Sequence, residues 1–156
     1  MKRFLPALIL LFGVTICNGQ SISKKDSLLI MKALNNVFKN FKNPDFVEFQ
    51  KISTKVIYCI ICEDSKNSKL GIYDLKRNDF FNKHLKAIKN SESWKRASKS
   101  KEIILYKQNS RRADVIAFLT TWKANEYALG HEGAQLGIYF IKENGVFKFS
   151  GLETIP

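Results

Sequence analysis

Histidine and cysteine are scarce in this chain. Two histidines and three cysteines in 156 residues leave no second Cys/His pair to complete a zinc site. There is no glycine-rich phosphate loop and no Ser/His/Asp signature. No recognisable nucleic-acid-binding module accompanies the positive charge. The expectation is therefore no metal, no cofactor and no nucleic acid. Outside the first twenty residues, no stretch approaches the roughly eighteen apolar residues of a spanning helix, so no membrane span is expected. Acidic residues are also few, 14 Asp and Glu against 26 Lys and Arg, for a formal charge of +12.

The chain starts with what reads as a leader. In MKRFLPALILLFGVTICNGQ, Lys2 and Arg3 precede an apolar run from Phe4 to Ile16, and Cys17-Asn18-Gly19 forms a small-residue end. That is the pattern of a cleaved export signal, with an apolar core too short to span a bilayer. The division expected is a signal peptide over 1–19 and a single domain over 20–156. A lipoprotein attached through Cys17 is disfavoured, because Ile16 stands where such a site wants a small residue.

Taking 19 residues from 156 leaves 137, a length suited to one core, with 24 basic and 14 acidic residues and a net charge of +10. Residues 83–112 hold ten Lys/Arg against Glu92 and Glu102, a local +8. Such a segment is either a solvated surface or an attractor for acidic partners, weakened by salt.

Apolar spacing organises the rest. In SKKDSLLIMKALNNVFKNFKN, residues Ile30, Leu34, Val37 and Phe41 form the stripe of an amphipathic helix, widened by Met31 and Phe38. Asn35, Asn36 and Asn40 fall outside it. Asn43-Pro44 stops that helix and opens a short second one, buried through Phe46, Phe49 and Ile52. KVIYCIICE reads as a strand apolar on both faces, and LGIYDL as a shorter one. Asn78 is placed to cap a third helix over NDFFNKHLKAIKN, with Phe81, Leu85 and Ile88 on one face. A helical turn is expected around Trp94. From Lys101 the period becomes two: KEIILYK, ADVIAFLTTWK, QLGIYFIK and GVFKFSGLE read as four strands. Asn144-Gly145 marks a tight hairpin between the last two. Helices early and strands late give an α+β fold, with N-terminal helices packed on a mostly antiparallel sheet.

That order resembles the nuclear-transport-factor-2-like superfamily, the cystatin-like α+β cone, over residues 24–156. The closing stretch HEGAQLGIYFIKENGVFKFSGLETIP is similar to the final hairpin of small exported domains of that superfamily from Gram-negative bacteria. The resemblance implies a curved sheet wrapped on a long helix with a pocket at one end, and a periplasmic or secreted location. It spans dehydratases, isomerases, polyketide cyclases and non-catalytic binding or dimerisation modules, so fold does not select an activity. Its enzymes place an Asp–His pair or a Tyr/Asp group inside the cone. No matching spacing occurs here, and no catalytic residue is carried across.

Cys59 and Cys62 have thiol–disulfide spacing but lie in an apolar run. Residues three apart on a strand face opposite ways. The reading is two buried cysteines, with a bulged disulfide and a redox pair as alternatives. His84 borders a buried helical stripe and has no acidic neighbour at helical spacing. His131, beside Glu132 and flanked by glycines, reads first as a loop residue. Its catalytic alternative needs a partner from another strand, with Asp114 first and Tyr58 or Tyr139 next. Tyr58, Trp122 and Tyr139, with Glu132, Arg111 and Arg112, are the candidate ligand contacts. The function expected is a non-catalytic exported domain binding a small molecule or an acidic partner. The alternatives are a small acid–base enzyme with its site in the cone, and a homodimer through the open sheet face.

Overall fold

The computed structural model describes residues 21–62, 69 and 71–155. The expected leader lies outside them. The chain folds as α+β. Helix α1 (Lys24–Lys42) starts where the Ser23 hydroxyl accepts the Asp26 amide at 3.1 Å. Its stripe is the expected one, with Ile30, Leu34, Val37 and Phe41 fully buried. Asn40 is a correction. It turns inward and donates its side-chain amide to the Asp45 carbonyl at 2.9 Å, fixing the corner before α2 (Phe46–Ile52). The cap of α2 is Asp45 rather than Asn43, its carboxylate accepting the Glu48 amide at 3.0 Å.

Strand β1 (Ser53–Cys59) and the brief β2 (Asp74–Lys76) follow. A helical run then begins at Arg77, one residue before the expected cap Asn78, as α3 (Arg77–Asp79), a π-helical turn over Phe80–His84, and α4 (Leu85–Asn90). The wider π turn rotates the face. Phe80 is fully buried where Phe81 was expected, and His84 lies inside rather than at the border. Helix α5 (Glu92–Ala97) carries Trp94 inward. Strands β3 (Ile103–Lys107), β4 (Val115–Trp122), β5 (Ala134–Glu143) and β6 (Val146–Ile155) complete the chain. Asn144 and Gly145, both at positive φ (51° and 79°), close the β5–β6 hairpin as the sequence requires.

The six strands run in the order β2-β1-β6-β5-β4-β3. Every neighbouring pair is antiparallel except β1 and β6, which run parallel. One face carries the helices. Phe41, Phe49, Phe80 and Phe149 meet there with Trp94, whose ring stacks on Phe41 at 4.1 Å. On β4, Val115, Ala117 and Leu119 join this core, while Ile116 and Phe118 point to the other face, as the period-two pattern requires.

Both cysteines are buried, as expected, and of the alternatives for the pair the structure shows the disulfide. Strand β1 ends at Cys59, the chain turns at Ile60 and Ile61, and Cys59 and Cys62 form a disulfide across a Cα separation of 5.5 Å. A turn brings Cys62 back, where a continuous strand would have pointed it away. By chain entropy, a four-residue ring is worth about 2 kcal/mol.

Candidate ligand-binding site

On the face of the sheet opposite the helices, four of the expected ligand contacts converge. Tyr58 on β1 and Tyr139 on β5 stack with ring centroids 5.3 Å apart. They approach across β6 because Gly151 lies between them, paired with both. The guanidinium of Arg112 covers Tyr58 at 4.2 Å, a cation–π contact at a partly desolvated site.

The arginines are set by the loop between β3 and β4. The Ser110 hydroxyl accepts the amides of Arg112 and Ala113, and the Ser110 amide donates to the Ala113 carbonyl at 2.7 Å. Ser150 fixes the loop to the sheet. It is the extra residue where the β5–β6 register shifts, and its hydroxyl donates to the Arg112 carbonyl at 2.8 Å. Asp74, with a side chain only 7% exposed, then pairs with both side chains, Arg111 at 3.2 Å and Arg112 at 3.3 Å. Arg111 nevertheless remains 81% exposed.

Beneath the tyrosines lies Glu153, a residue the sequence did not single out. Its carboxylate accepts from the Tyr139 hydroxyl and, at 3.5 Å, from that of Tyr58. The available signal was alternation on β6, which puts Glu153 on the same face as Gly151. Burial, and then the hydrogen bond to Glu153, hold the Tyr139 phenol far above its ordinary range. Burial and the Glu153 charge raise Tyr58 as well, against the pull of Arg112. Both are therefore fixed as donors, not bases, at neutral pH.

This has an alkaline consequence. Unfolded tyrosines ionise near pH ~10, whereas folded Tyr139 keeps its proton. Above that pH the native state holds more protons than the unfolded one, so stability falls as pH rises further. Tyr139→Phe is expected to flatten that decline in urea-unfolding titrations across the alkaline range. An unchanged slope would mean that the phenol is not held as described.

A recess of about 470 Å³ opens beside this group, lined by Tyr58, Gln108, Ser110, Arg111, Arg112 and Tyr139. Among the described residues lining it, the only formal charges are the two arginines. A second recess of about 320 Å³ shares Tyr58 and both arginines but includes Asp74 and Glu143.

The other expected residues lie elsewhere. Trp122 and Glu132 line a separate recess at the far end of β4. His131 sits in the loop after β4. Its Nδ1 accepts the Gly133 amide at 2.9 Å and its carbonyl accepts the Asn125 amide at 2.7 Å. Asp114 precedes the opposite end of β4, its carboxylate accepting the Lys142 amide at 2.7 Å. An eight-residue strand separates the two, about 25 Å at strand rise. The structure does not bring His131 and Asp114 together. Gly-His-Glu-Gly is a loop.

Among the described residues there is no group of three or more His, Cys, Asp or Glu able to hold a metal, and no helix is long and apolar enough to cross a membrane. No family model matches the sequence, and no curated protein matches it significantly.

Proposed function

We propose that this is an exported, non-catalytic binding domain that holds a small carboxylate- or phosphate-bearing molecule on the open face of its sheet. The carrying observation is the recess lined by Arg111 and Arg112 beside the two stacked tyrosine rings, with no acidic group among its described lining residues. Paired guanidinium groups match oxyanions in charge and geometry. A volume of about 470 Å³ suits a small molecule rather than a macromolecular surface. Export is supported by the leader-like pattern of residues 1–19 and by the Cys59–Cys62 disulfide, a bond that persists in oxidising compartments. The element order supports a place in the nuclear-transport-factor-2-like superfamily. The site differs from that superfamily's cone interior, since aromatic side chains fill the space between helices and sheet here.

Calorimetric titration with citrate and with inorganic phosphate tests this, the stronger of the two naming the headgroup. Arg111→Ala with Arg112→Ala is expected to weaken binding roughly tenfold to a hundredfold, with the circular dichroism spectrum retained. Equal affinity in the folded double variant would remove the proposal.

A further inference from the structure

The open face of the sheet carries a second feature beside the arginine recess. Strand β3 is an edge strand, with no strand beyond it among the described residues. Its side chains alternate between the two faces. Ile103 and Leu105 pack against the core under the helices, while Ile104 and Tyr106 point to the open face, 59% and 56% exposed. On β4, Phe118 stands opposite Ile104 and Ile116 opposite Tyr106. The Tyr106 and Phe118 rings lie 6.3 Å apart. Single exposed apolar side chains are ordinary, but neighbours in register form a continuous stripe.

Both ends of the stripe are defined. At one end the alternation reaches Gln108, whose amide extends the pairing with β4 by donating to the Asp114 carbonyl at 2.9 Å. Gln108 lines the recess together with Arg111, Arg112 and Tyr139. Tyr139 is in turn the β5 partner of Ile116, so recess and stripe adjoin along two strands. At the other end the row reaches Glu102, whose carboxylate accepts the Thr120 hydroxyl at 3.2 Å. From Gln108 to Glu102 the row measures about 20 Å at strand rise. It runs from two cations, across apolar side chains, to an anion.

That order of surfaces has the polarity of an anionic amphiphile. We infer that the ligand held by the arginines is a medium-chain alkyl carboxylate, with its head in the recess and its chain along Tyr106 and Ile104. The inference rests on the anion site proposed above and adds the chain to it. A wholly polar anion would leave the stripe in water. A chain with a second carboxylate at its far end would set that charge beside Glu102, and like charges repel. A chain without a head would forgo the charge-assisted hydrogen bonds of the guanidinium groups.

The test is calorimetric titration of the full chain with acetate, hexanoate and decanoate, the last below its micelle-forming concentration, and with decanedioate. Affinity is expected to rise roughly twofold per methylene, about half the effect of full burial on a logarithmic scale, so that decanoate binds about tenfold tighter than hexanoate. Decanedioate should bind no better than hexanoate. Ile104→Thr with Tyr106→Thr keeps strand-forming residues on β3, and should leave acetate binding unchanged while removing the gain from the longer chain. Arg111→Ala with Arg112→Ala should weaken acetate and decanoate alike.

Equal affinity for acetate and decanoate would overturn the inference and leave the anion site standing. No binding of any carboxylate or of inorganic phosphate would overturn both. A chain-length gain that survives the double threonine variant would place the chain elsewhere and also overturn it. Flotation with vesicles containing anionic lipid separates the sources. Decanoate binding alone names a free molecule, and decanoate binding with vesicle recruitment names a lipid surface. Vesicle recruitment without decanoate binding would reduce the effect to surface charge and overturn the inference.

Discussion

Phe149→Ala is expected to remove about 3–5 kcal/mol of stability, a large part of what a domain of this size possesses. Phe149 is fully buried on β6. It meets Phe41 of α1 at 5.9 Å, Phe49 of α2 at 6.0 Å and Phe80 of the π turn at 5.7 Å. It is the sheet's contribution to a cluster that draws three helical segments onto one strand. Truncation leaves a void that aromatic rings, stiff at both ends of their contacts, cannot collapse into. In thermal unfolding the midpoint should fall on the order of 10 °C. Phe149→Leu should cost markedly less. A loss under about 1 kcal/mol for the alanine variant would mean that the cluster relaxes freely and does not anchor the helices.

Gly151→Ala is the second large effect, and it reaches the binding face. A Cβ at this position would stand 2.5 Å from the Tyr58 carbonyl oxygen and 2.7 Å from the Tyr58 Cβ. The obstacle is neighbouring backbone, so no rotamer change relieves it. Either β1 moves away from β6 or the strand distorts, at a cost of about 3 kcal/mol. Displacing β1 also carries Tyr58 away from Tyr139 and Arg112. Chemical denaturation should therefore report lost stability, and anion titration should report weaker binding in the folded remainder. Gly137→Ala is the control. Its Cβ would meet side-chain rather than backbone atoms, of Ile116 and Phe118 at 3.3 Å and of Glu153 at 3.5 Å, and a much smaller loss is expected. Similar losses for the two variants would contradict the special role given to the β1–β6 crossing.

What the sequence made legible was whatever depends on local period. The stripe of α1, the two faces of β4 and the Asn144-Gly145 hairpin follow from spacing and turn chemistry alone, and the structure reproduces them. The misses share a different cause. Where β1 ends is decided by its parallel pairing with β6, nearly a hundred residues away, and nothing local in Tyr58-Cys59-Ile60-Ile61-Cys62 announces a turn. The π turn displaced Phe81 by one position, an insertion that an ideal 3.6-residue period cannot reveal. Asn40 reads as solvent-facing by period, and only the corner to α2 gives its amide a carbonyl to satisfy.

The candidate site divides along the same line. Tyr58, Tyr139, Arg111 and Arg112 stand out by residue type, but their convergence comes from strand order and from the register break at Ser150. Asp74 and Glu153 carry no motif. Each acquires its role only when pairing places it under an arginine or a tyrosine. His131 and Asp114, joined by chemical habit, are separated by the length of one strand.

The most direct test of a ligand site on the open sheet face is to locate the bound anion. Backbone amide chemical shifts of the isotopically labelled domain, followed through titration with citrate and with inorganic phosphate, would do so. The account predicts saturable shifts concentrated at Gln108–Ala113, around Tyr139 and around Tyr58, with the Lys83–Lys101 helices and the Trp122–His131 end unmoved. Shifts spread along the lysine-bearing helices without saturation would contradict it, reducing the basic segment to a diffuse field and leaving the tyrosine–arginine recess without a ligand.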